Sequence, residues 1–308
     1  MVQELNKEDL PSVCVIIVNF NGTADTLDCL DSLKEQSYPN THIVVVDNAS
    51  DDPEELENAL ANHSFHLVQL EENNGFASGN NAGVKYAKEV LDPDYILMLN
   101  NDTVVSSDFL FPLVEELEGD AGTGACCSHI NYYQPSKLTW YGGGYINWKT
   151  GTSVHEVQDH RTSPSRDVEF LTGCALLFPI RMIQEIGYLN EDYFLFYEDT
   201  EFCVRMKKAG YRLRYVPESV IYHKVSATAG FRSPLANYYG TRNKMHFMSL
   251  YANRLNYTFF LLYFSCKTGG KLLFYWLRGK RFKDMRRAIR TGYWDFFRHK
   301  TGKWQRLT

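Results

Sequence analysis

Four short apolar runs in the first hundred residues each stop at asparagine or aspartate. Residues 13–18 end at Asn19-Phe20-Asn21-Gly22, and residues 42–46 end at Asp47-Asn48. Residues 65–70 stop just before Asn73-Asn74, and Tyr95-Ile96-Leu97-Met98-Leu99 ends at Asn100-Asn101-Asp102. Uncharged runs of this length suit strands buried on both faces, and the amides and carboxylates that end them favour turns. Between the runs, Leu27, Leu30 and Leu33, then Ala77, Val84, Ala87 and Val90, recur at helical spacing, while Pro53 is placed to open a helix through residue 62. The alternation predicts parallel βαβ units and an α/β fold. Parallel strands deliver their polar ends to one edge, where open α/β sheets bind ligands.

That edge collects chemistry as well as turns. Asp102, at the end of a rigid strand, offers a carboxylate to a hard divalent cation; turn formation alone also accounts for Asn100, Asn101 and Asp102. The stretch from Asn73 to Gly83 is rich in glycine and asparagine and precedes a helix, which suits close approach of a phosphate. It has neither GxGxxG nor GK[ST] spacing, which disfavours hydride-transfer enzymes and ATPases. Residues 194–201 place Glu198, Asp199 and Glu201 after an aromatic run. Asp199 reads equally as the N-cap of a helix ending at Gly210 or as a general base whose pKa its neighbours raise. His223 follows two expected short strands, 211–216 and 219–222; it is a structural histidine on its own and a ligand beside a carboxylate-held metal. Residues 168–178, carrying Thr172-Gly173, read as a buried strand, and 181–186 as a short helix. Gly142-Gly143-Gly144 reads as a hairpin or flexible loop, and 158–166 as a polar segment able to close over a substrate.

With 308 residues, 44% hydrophobic and 14% aromatic, the chain is globular rather than disordered. Its seven cysteines are odd in number and lack CxxC spacing, so they read as reduced thiols of a cytosolic protein, and the polar residues 1–10 do not read as a signal peptide. The net charge of -5 hides a division: residues 231–308 hold 17 Lys and Arg against 2 Asp and Glu, leaving 15 against 35 on residues 1–230. A basic, aromatic tail on an acidic body points to an anionic partner, phospholipid before nucleic acid.

Taken together, seven segments resemble the inverting nucleotide-sugar glycosyltransferases of family 2, which have the GT-A fold, and within them the rhamnosyltransferase-like branch. They are Val18–Gly22, Val46–Ser50, Asn74–Asn80, Leu99–Asp102, Thr172-Gly173, Phe196–Asp199 and His223, in the family's order over residues 12–245. The resemblance implies a Rossmann-like, mostly parallel sheet flanked by helices. It implies that Asn19, Phe20, Asn21 and Asp47 hold the nucleobase of a dTDP- or UDP-sugar, with Asp47 accepting from a pyrimidine imide. Asn74, Gly75, Asn80, Asn100 and Asn101 would line the nucleotide and donor pocket. Asp102 and His223 would hold Mn²⁺ or Mg²⁺. Asp199, beside Glu198, would be the catalytic base, and Thr172 and Gly173 would lie on the acceptor side. The chain departs from the acidic metal motif at Asn100 and Asn101, which leaves one carboxylate there.

On this reading residues 1–230 form the catalytic domain, with a nucleotide half at about 12–120 and an acceptor half at about 121–230. Residues 231–308 form a helical tail. Its longest uncharged apolar run, residues 255–266, is short of the roughly 20 residues a membrane span requires, and extension to Leu277 takes in Lys267, Gly269, Gly270 and Lys271, so the tail reads as lying on an anionic inner membrane face before spanning it, with packing on the body or on a second copy of the chain as the other reading. Tyr238–Asn243 and residues 292–297 share the branch resemblance. The expected reaction is transfer of a sugar, rhamnose by the resemblance, onto a hydroxyl of a glycan or lipid-linked glycan in cell-surface polysaccharide assembly, with no nucleic acid involved. A catalytically silent nucleotide-sugar sensor or scaffold, or a sugar nucleotidyltransferase, would share the sheet; the second lacks its Lys- and Arg-bearing glycine loop.

Overall fold

The computed structural model describes residues 10–60, 64–225 and 233–305. The helix end expected at residue 62 and the segment boundary at 230 fall outside them. β1 (Val13–Asn19) is the centre of the first half: β2 (Thr41–Asp47) lies parallel on one side and β4 (Tyr95–Asn100) parallel on the other, while β3 (His66–Gln69) extends the sheet beyond β2. The order β3-β2-β1-β4 reverses direction between β1 and β4. A crevice opens at such a reversal outside the carboxyl ends of the strands.

The sheet continues with mixed polarity. β11 (Ala175–Pro179) runs antiparallel to β4 and to β6 (Thr123–Tyr132), and β12 (Arg212–His223) runs parallel to β6. The two short strands expected at 211–216 and 219–222 are one strand, kept continuous across Pro217 by a bulge between Val216 and Val220. The strand expected at 168–178 exists only from Ala175. Residues 168–174 are buried except for Glu169 but irregular, because Leu171 and Gly173 give their N–H groups to side chains of the helix that carries Asp199. β5 (Thr103–Val105) pairs with the end of β12, and β7 (Thr139–Tyr141) with β6. Gly144 opens a separate hairpin of β8 (Gly144–Asn147) and β9 (Thr152–His155), and β10 (Arg166–Asp167) closes the far edge of the sheet.

Helices α1 (Thr23–Lys34), α2 (Pro53–Leu60), α3 (Phe76–Tyr86), α4 (Leu110–Glu118), α5 (Arg181–Ile186) and α6 (Glu198–Lys208) flank the strands. α3 comes unusually close. A Cβ on Gly79 would lie 2.7 Å from Val18 Cγ1, and one on Gly83 2.5 Å from Ile16 Cγ2. The glycines of this motif therefore let a helix press on β1, a packing role that the expectation of phosphate approach did not include.

The tail is three helices: α7 (Pro234–Tyr251), α8 (Arg254–Leu277) and α9 (Lys283–Phe297). Ser233 caps α7 through the Ala236 N–H, and Asn253 caps α8 through the Asn256 N–H. Met245, Phe247, Met248, Phe260 and Phe264 of α7 and α8 join the main core. The apolar run at 255–266 is thus the first half of a 24-residue helix that buries one face. Among the described residues no helix is long and apolar enough to cross a membrane.

Candidate active site

The first cluster forms where β1 and β2 end. Asn19 Nδ2 donates to Asp47 Oδ1 at 3.0 Å and to Ser50 Oγ at 3.1 Å, and Ser50 Oγ donates to Asp47 Oδ1 at 2.6 Å. Asn21 closes the loop by exchanging two hydrogen bonds with Asp51, and its N–H donates to Ser50 Oγ. Asp47 is 1% exposed; its carboxylate is oriented by protein donors, and Oδ2 accepts only the Ser50 N–H among the bonds that fix it. Phe20 is half-buried, and Asn21 is exposed at the rim. Ser50, not singled out in the sequence, organises the cluster; its signal was its place three residues after Asp47.

The second cluster is at the β4–β5 turn. Asn101 Nδ2 donates to Thr26 Oγ1 at 3.1 Å, and Thr26 Oγ1 donates to Asn19 Oδ1 at 2.9 Å, so a chain of side chains ties this turn to the first cluster. Pairing of β5 with β12 brings Asp102 beside His223, 121 residues away: Asp102 Oδ1 and His223 Nε2 are 3.0 Å apart. Trp140 packs edge-on against the imidazole, and His223 Nδ1 is buried without a hydrogen-bond partner. Asn100 Oδ1 is likewise buried and unpaired.

A carboxylate and an imidazole at this spacing fit two neighbouring ligands of one divalent cation, since bonds of about 2.1 Å at right angles set donors about 3 Å apart. The donor set is small. No group of three or more His, Cys, Asp or Glu able to hold a metal occurs among the described residues, so Asp102 and His223 by themselves do not fill the coordination shell of such a cation.

The third cluster contains the carboxylate pair. Asp199 is not the N-cap of α6, which begins at Glu198 after Tyr197 in a left-handed conformation. Its Oδ2 accepts the Gly173 N–H at 3.0 Å, and Oδ1 accepts from the Thr200 N–H at 2.6 Å and hydroxyl at 3.2 Å. Burial raises the pKa of Asp199 against the opposing pull of these donors. Burial, reinforced by the Asp199 charge, pushes Glu198 well above the usual carboxylate range, and its Oε2 is buried and unpaired. The two buried carboxyls titrate as a pair: three donors favour the charged form of Asp199, and that charge in turn raises Glu198. Thr172 Oγ1 accepts the Cys174 N–H, and Cys174 C=O accepts the Asn100 N–H, so residues 172–174 form a strap from Asp199 to the metal-motif turn.

The glycine-rich loop meets the loop before α6. Gly75 has φ +99°, and a Cβ there would lie 2.2 Å from Phe194 O; the Phe76 N–H donates to that oxygen at 2.7 Å. Asn48 Nδ2 steadies the same loop through Gly75 O and Asn73 Oδ1. Asn74 is exposed at the edge, whereas Asn80 is buried and gives Nδ2 to Phe76 O within its own helix.

Sequence reasoning missed the residues that hold the 193–197 loop. Phe194, Phe196 and Tyr197 all have positive φ, at 59°, 67° and 79°, and bulky side chains are strained there. Asn243 Nδ2 donates to the carbonyls of Tyr193, Leu195 and Phe196 at 2.7, 2.8 and 3.0 Å. Arg242 donates to Asp192 O and Tyr193 O, and Tyr197 OH donates to Gly151 O. The signal was visible as an Arg-Asn pair inside a helix that otherwise packs with aromatic residues.

Comparison with known proteins agrees with this architecture. Two of the curated proteins most similar to the chain are poly-beta-1,6-N-acetyl-D-glucosamine synthases. The one from Staphylococcus aureus is 24% identical over 229 residues, covering 74% of this chain and 53% of its own length. The one from Staphylococcus epidermidis is 23% identical over 225 residues, covering 72% and 52%. The chain thus spans about half the length of the curated relatives it matches. Among solved structures, the mannosyltransferase PcManGT from Pyrobaculum calidifontis, in complex with GDP-Man and Mn²⁺, superposes with a TM-score of 0.59 at 16% identity, over 94% of this chain and 88% of that one. GalNAc-T7 with UDP, GalNAc and Mn²⁺ gives 0.59 at 17% identity, over 75% and 48%. The fold is GT-A. The family model for glycosyl transferase family 2 matches residues 14–183, more than half of the sequence, and the chain belongs to that family.

Proposed function

We propose that this chain moves a sugar from a pyrimidine nucleoside diphosphate donor, UDP- or dTDP-linked, onto a hydroxyl of a glycan or lipid-linked glycan, with inversion, in the assembly of a cell-surface polysaccharide. The observation that carries the reading is the strap at 172–174: Asp199, held by the Gly173 N–H, stands at one end, and the turn bearing Asp102 stands at the other. Asp199 takes the proton of the attacking hydroxyl, and protonated Glu198 keeps a second negative charge away from it. Asp102 and His223 hold a divalent cation, which when bound offsets charge on the departing diphosphate. Asp47, steadied by Asn19 and Ser50, faces the base, with Phe20, Asn21 and Asn101 around the nucleotide; Asn74, Gly75, Asn80 and Asn100 belong to the donor side and Thr172 to the acceptor side. A single in-line displacement inverts the anomeric centre.

The branch resemblance favours dTDP-rhamnose, and the staphylococcal synthases favour UDP-N-acetylglucosamine. Nucleoside diphosphate release from a panel of these two with UDP-glucose and UDP-galactose, with Mn²⁺, Mg²⁺ or chelator and a membrane lipid extract, separates them. Asp199→Asn should bind the turned-over donor and lose at least about 10²-fold in kcat. Donor binding with no turnover on any acceptor would return the chain to a silent sensor or scaffold.

The tail supports a peripheral seat on the inner face of the cell membrane. Leu255, Phe259, Leu262, Leu273, Trp276 and Leu277 of α8 are exposed, and α8 carries basic residues but no carboxylate. Pairing of two such helices would bring like charges together, whereas an anionic leaflet complements them. Retention on phosphatidylglycerol vesicles, lost in high salt, tests it; indifference to lipid refutes it.

A further inference from the structure

Trp140 is the extra residue of a bulge between β6 and β7. Ile130 of β6 faces Tyr141 and Asn131 faces Thr139, which leaves Trp140 between two paired positions. Thr139 and Tyr141 are buried, whereas Trp140 is half-buried. A bulge re-aims the side chain it leaves unpaired, and this one meets two imidazoles. The ring centroids of His223 and His155 are each 4.5 Å from that of Trp140, at interplanar angles of 84° and 78°. The contact with His223 spans a strand: β7 pairs with one side of β6 and β12 with the other, so two strand spacings, about 10 Å, separate β7 from the strand that bears His223. A side chain as long as tryptophan covers that distance.

His223 needs such a neighbour. Its Nε2 meets Asp102 Oδ1 at 3.0 Å, and its Nδ1 is buried with no hydrogen-bond partner among the described residues. A histidine that binds a metal through one nitrogen ordinarily donates its other N–H to a carboxylate, a carbonyl or a water, which fixes the ring. Once a cation takes Asp102 and His223 as ligands, the hydrogen bond between them is given up as well, and packing is left to set the orientation of the imidazole. The packing is itself braced. His155, at the end of the β8–β9 hairpin, stacks on Phe170 at 5.7 Å and 23° and stands edge-on to Tyr141, two buried rings of the core.

We infer that Trp140 is a positioning residue for the divalent cation: it holds the His223 imidazole toward Asp102 where a hydrogen-bond acceptor would ordinarily do so, and His155 braces its indole. This role rests on the reading of Asp102 and His223 as metal ligands, and it adds a residue that lies outside the seven segments shared with the family.

The test measures metal binding rather than turnover. Mn²⁺ is titrated into the full chain with saturating UDP or dTDP, and free Mn²⁺ is read from its electron paramagnetic resonance signal. Trp140→Leu should weaken Mn²⁺ binding about tenfold or more, the size of effect that follows loss of support behind a ligand, and Trp140→Phe, which keeps a ring, should recover part of it. Wild-type Mn²⁺ affinity in Trp140→Leu overturns the assignment, as does a Trp140→Phe variant no better than Trp140→Leu. Nucleoside diphosphate affinity in EDTA is the control, and an equal loss there would mark general loosening of the site and also overturn it. If the wild type binds no Mn²⁺ with either nucleotide, the ligand roles of Asp102 and His223 fall and the role of Trp140 with them, a result told apart from the others by the wild type alone. Should Trp140→Leu not fold, fluorescence decides: bound Mn²⁺ should quench a tryptophan signal that Trp140→Phe lacks, and the same fractional quench in both proteins overturns the placement.

Discussion

Asn243 offers the sharpest test of how the tail bears on the carboxylate pair. Its amide shares two protons among three buried-loop carbonyls, and its Oδ1 accepts from Arg242 Nε at 2.9 Å. Asn243→Leu keeps the approximate volume and removes every one of these bonds. Two net hydrogen bonds at about 1 kcal/mol each, plus desolvation of carbonyls left unpaired at about 1–3 kcal/mol, give a loss of roughly 3–5 kcal/mol. For a domain of this size that is a fall of roughly 6–20 °C in melting temperature, at about 2–4 °C per kcal/mol. The loop has strain to release once it is unclamped, because three of its bulky residues have positive φ. Relaxation moves the N-terminus of α6, and a displacement of about 1 Å at the base costs on the order of 10²-fold in kcat. Circular-dichroism melting and steady-state kinetics on the productive donor check both halves. A variant with wild-type melting temperature and kcat would refute the clamp. A fall in melting temperature alone would leave Asn243 a purely structural residue.

Glu198→Gln tests the division of charge. A carboxyl whose folded pKa is raised binds its proton more tightly in the folded state, so wild-type stability should fall as pH rises from the ordinary Glu value, about 4.3, through the raised one. The glutamine variant should lack that decline in urea-unfolding midpoints taken across pH 4–8; parallel curves would contradict a protonated Glu198. Asp102→Asn, which keeps the hydrogen bond to His223 but removes the charge, should raise the metal concentration needed for half-maximal turnover about tenfold or more, and an unchanged metal titration would sink its ligand role. Gly83→Ala sets helix propensity, a gain of about 1 kcal/mol, against overpacking on Ile16 and Val46, a cost of about 1–3 kcal/mol; the melting temperature should fall, and a rise would show that α3 can back away from β1.

The order of the first four strands was legible because each run carries its own punctuation: apolar residues for a strand buried on both faces, then Asn or Asp where the chain turns. The gathering of Asn19, Asp47 and Asn100–Asp102 at one edge followed from parallel pairing alone. The partnership of Asp102 with His223 depends instead on antiparallel β5–β12 pairing across 121 residues, and no local periodicity encodes that; only the family resemblance linked them. Residues 168–174 misled for a related reason. Their composition matches a buried strand, but the N–H groups of Leu171 and Gly173 are spent on Cys203 and Asp199, so burial there came without a ladder. Pattern reports burial, and hydrogen-bond partners decide its form.

The clamp shows why the tail could not be read as an appendage. Charge separates residues 231–308 from the body, and charge was the feature that made the tail look autonomous. Polar residues inside a helix usually face water, but Arg242 and Asn243 are 2% and 1% exposed. Burial of that kind is tolerated only where partners are fixed beforehand, and the fixed partners are the carbonyls of a loop that cannot hold its own conformation. Loop strain and buried side chains each lack a stable alternative alone, and together they satisfy one another. A base that must be ionised, buried and immobile at once thus draws its rigidity from a helix about forty residues further along the chain, so truncation before α7 should disarm Asp199 even though every residue of the three clusters remains.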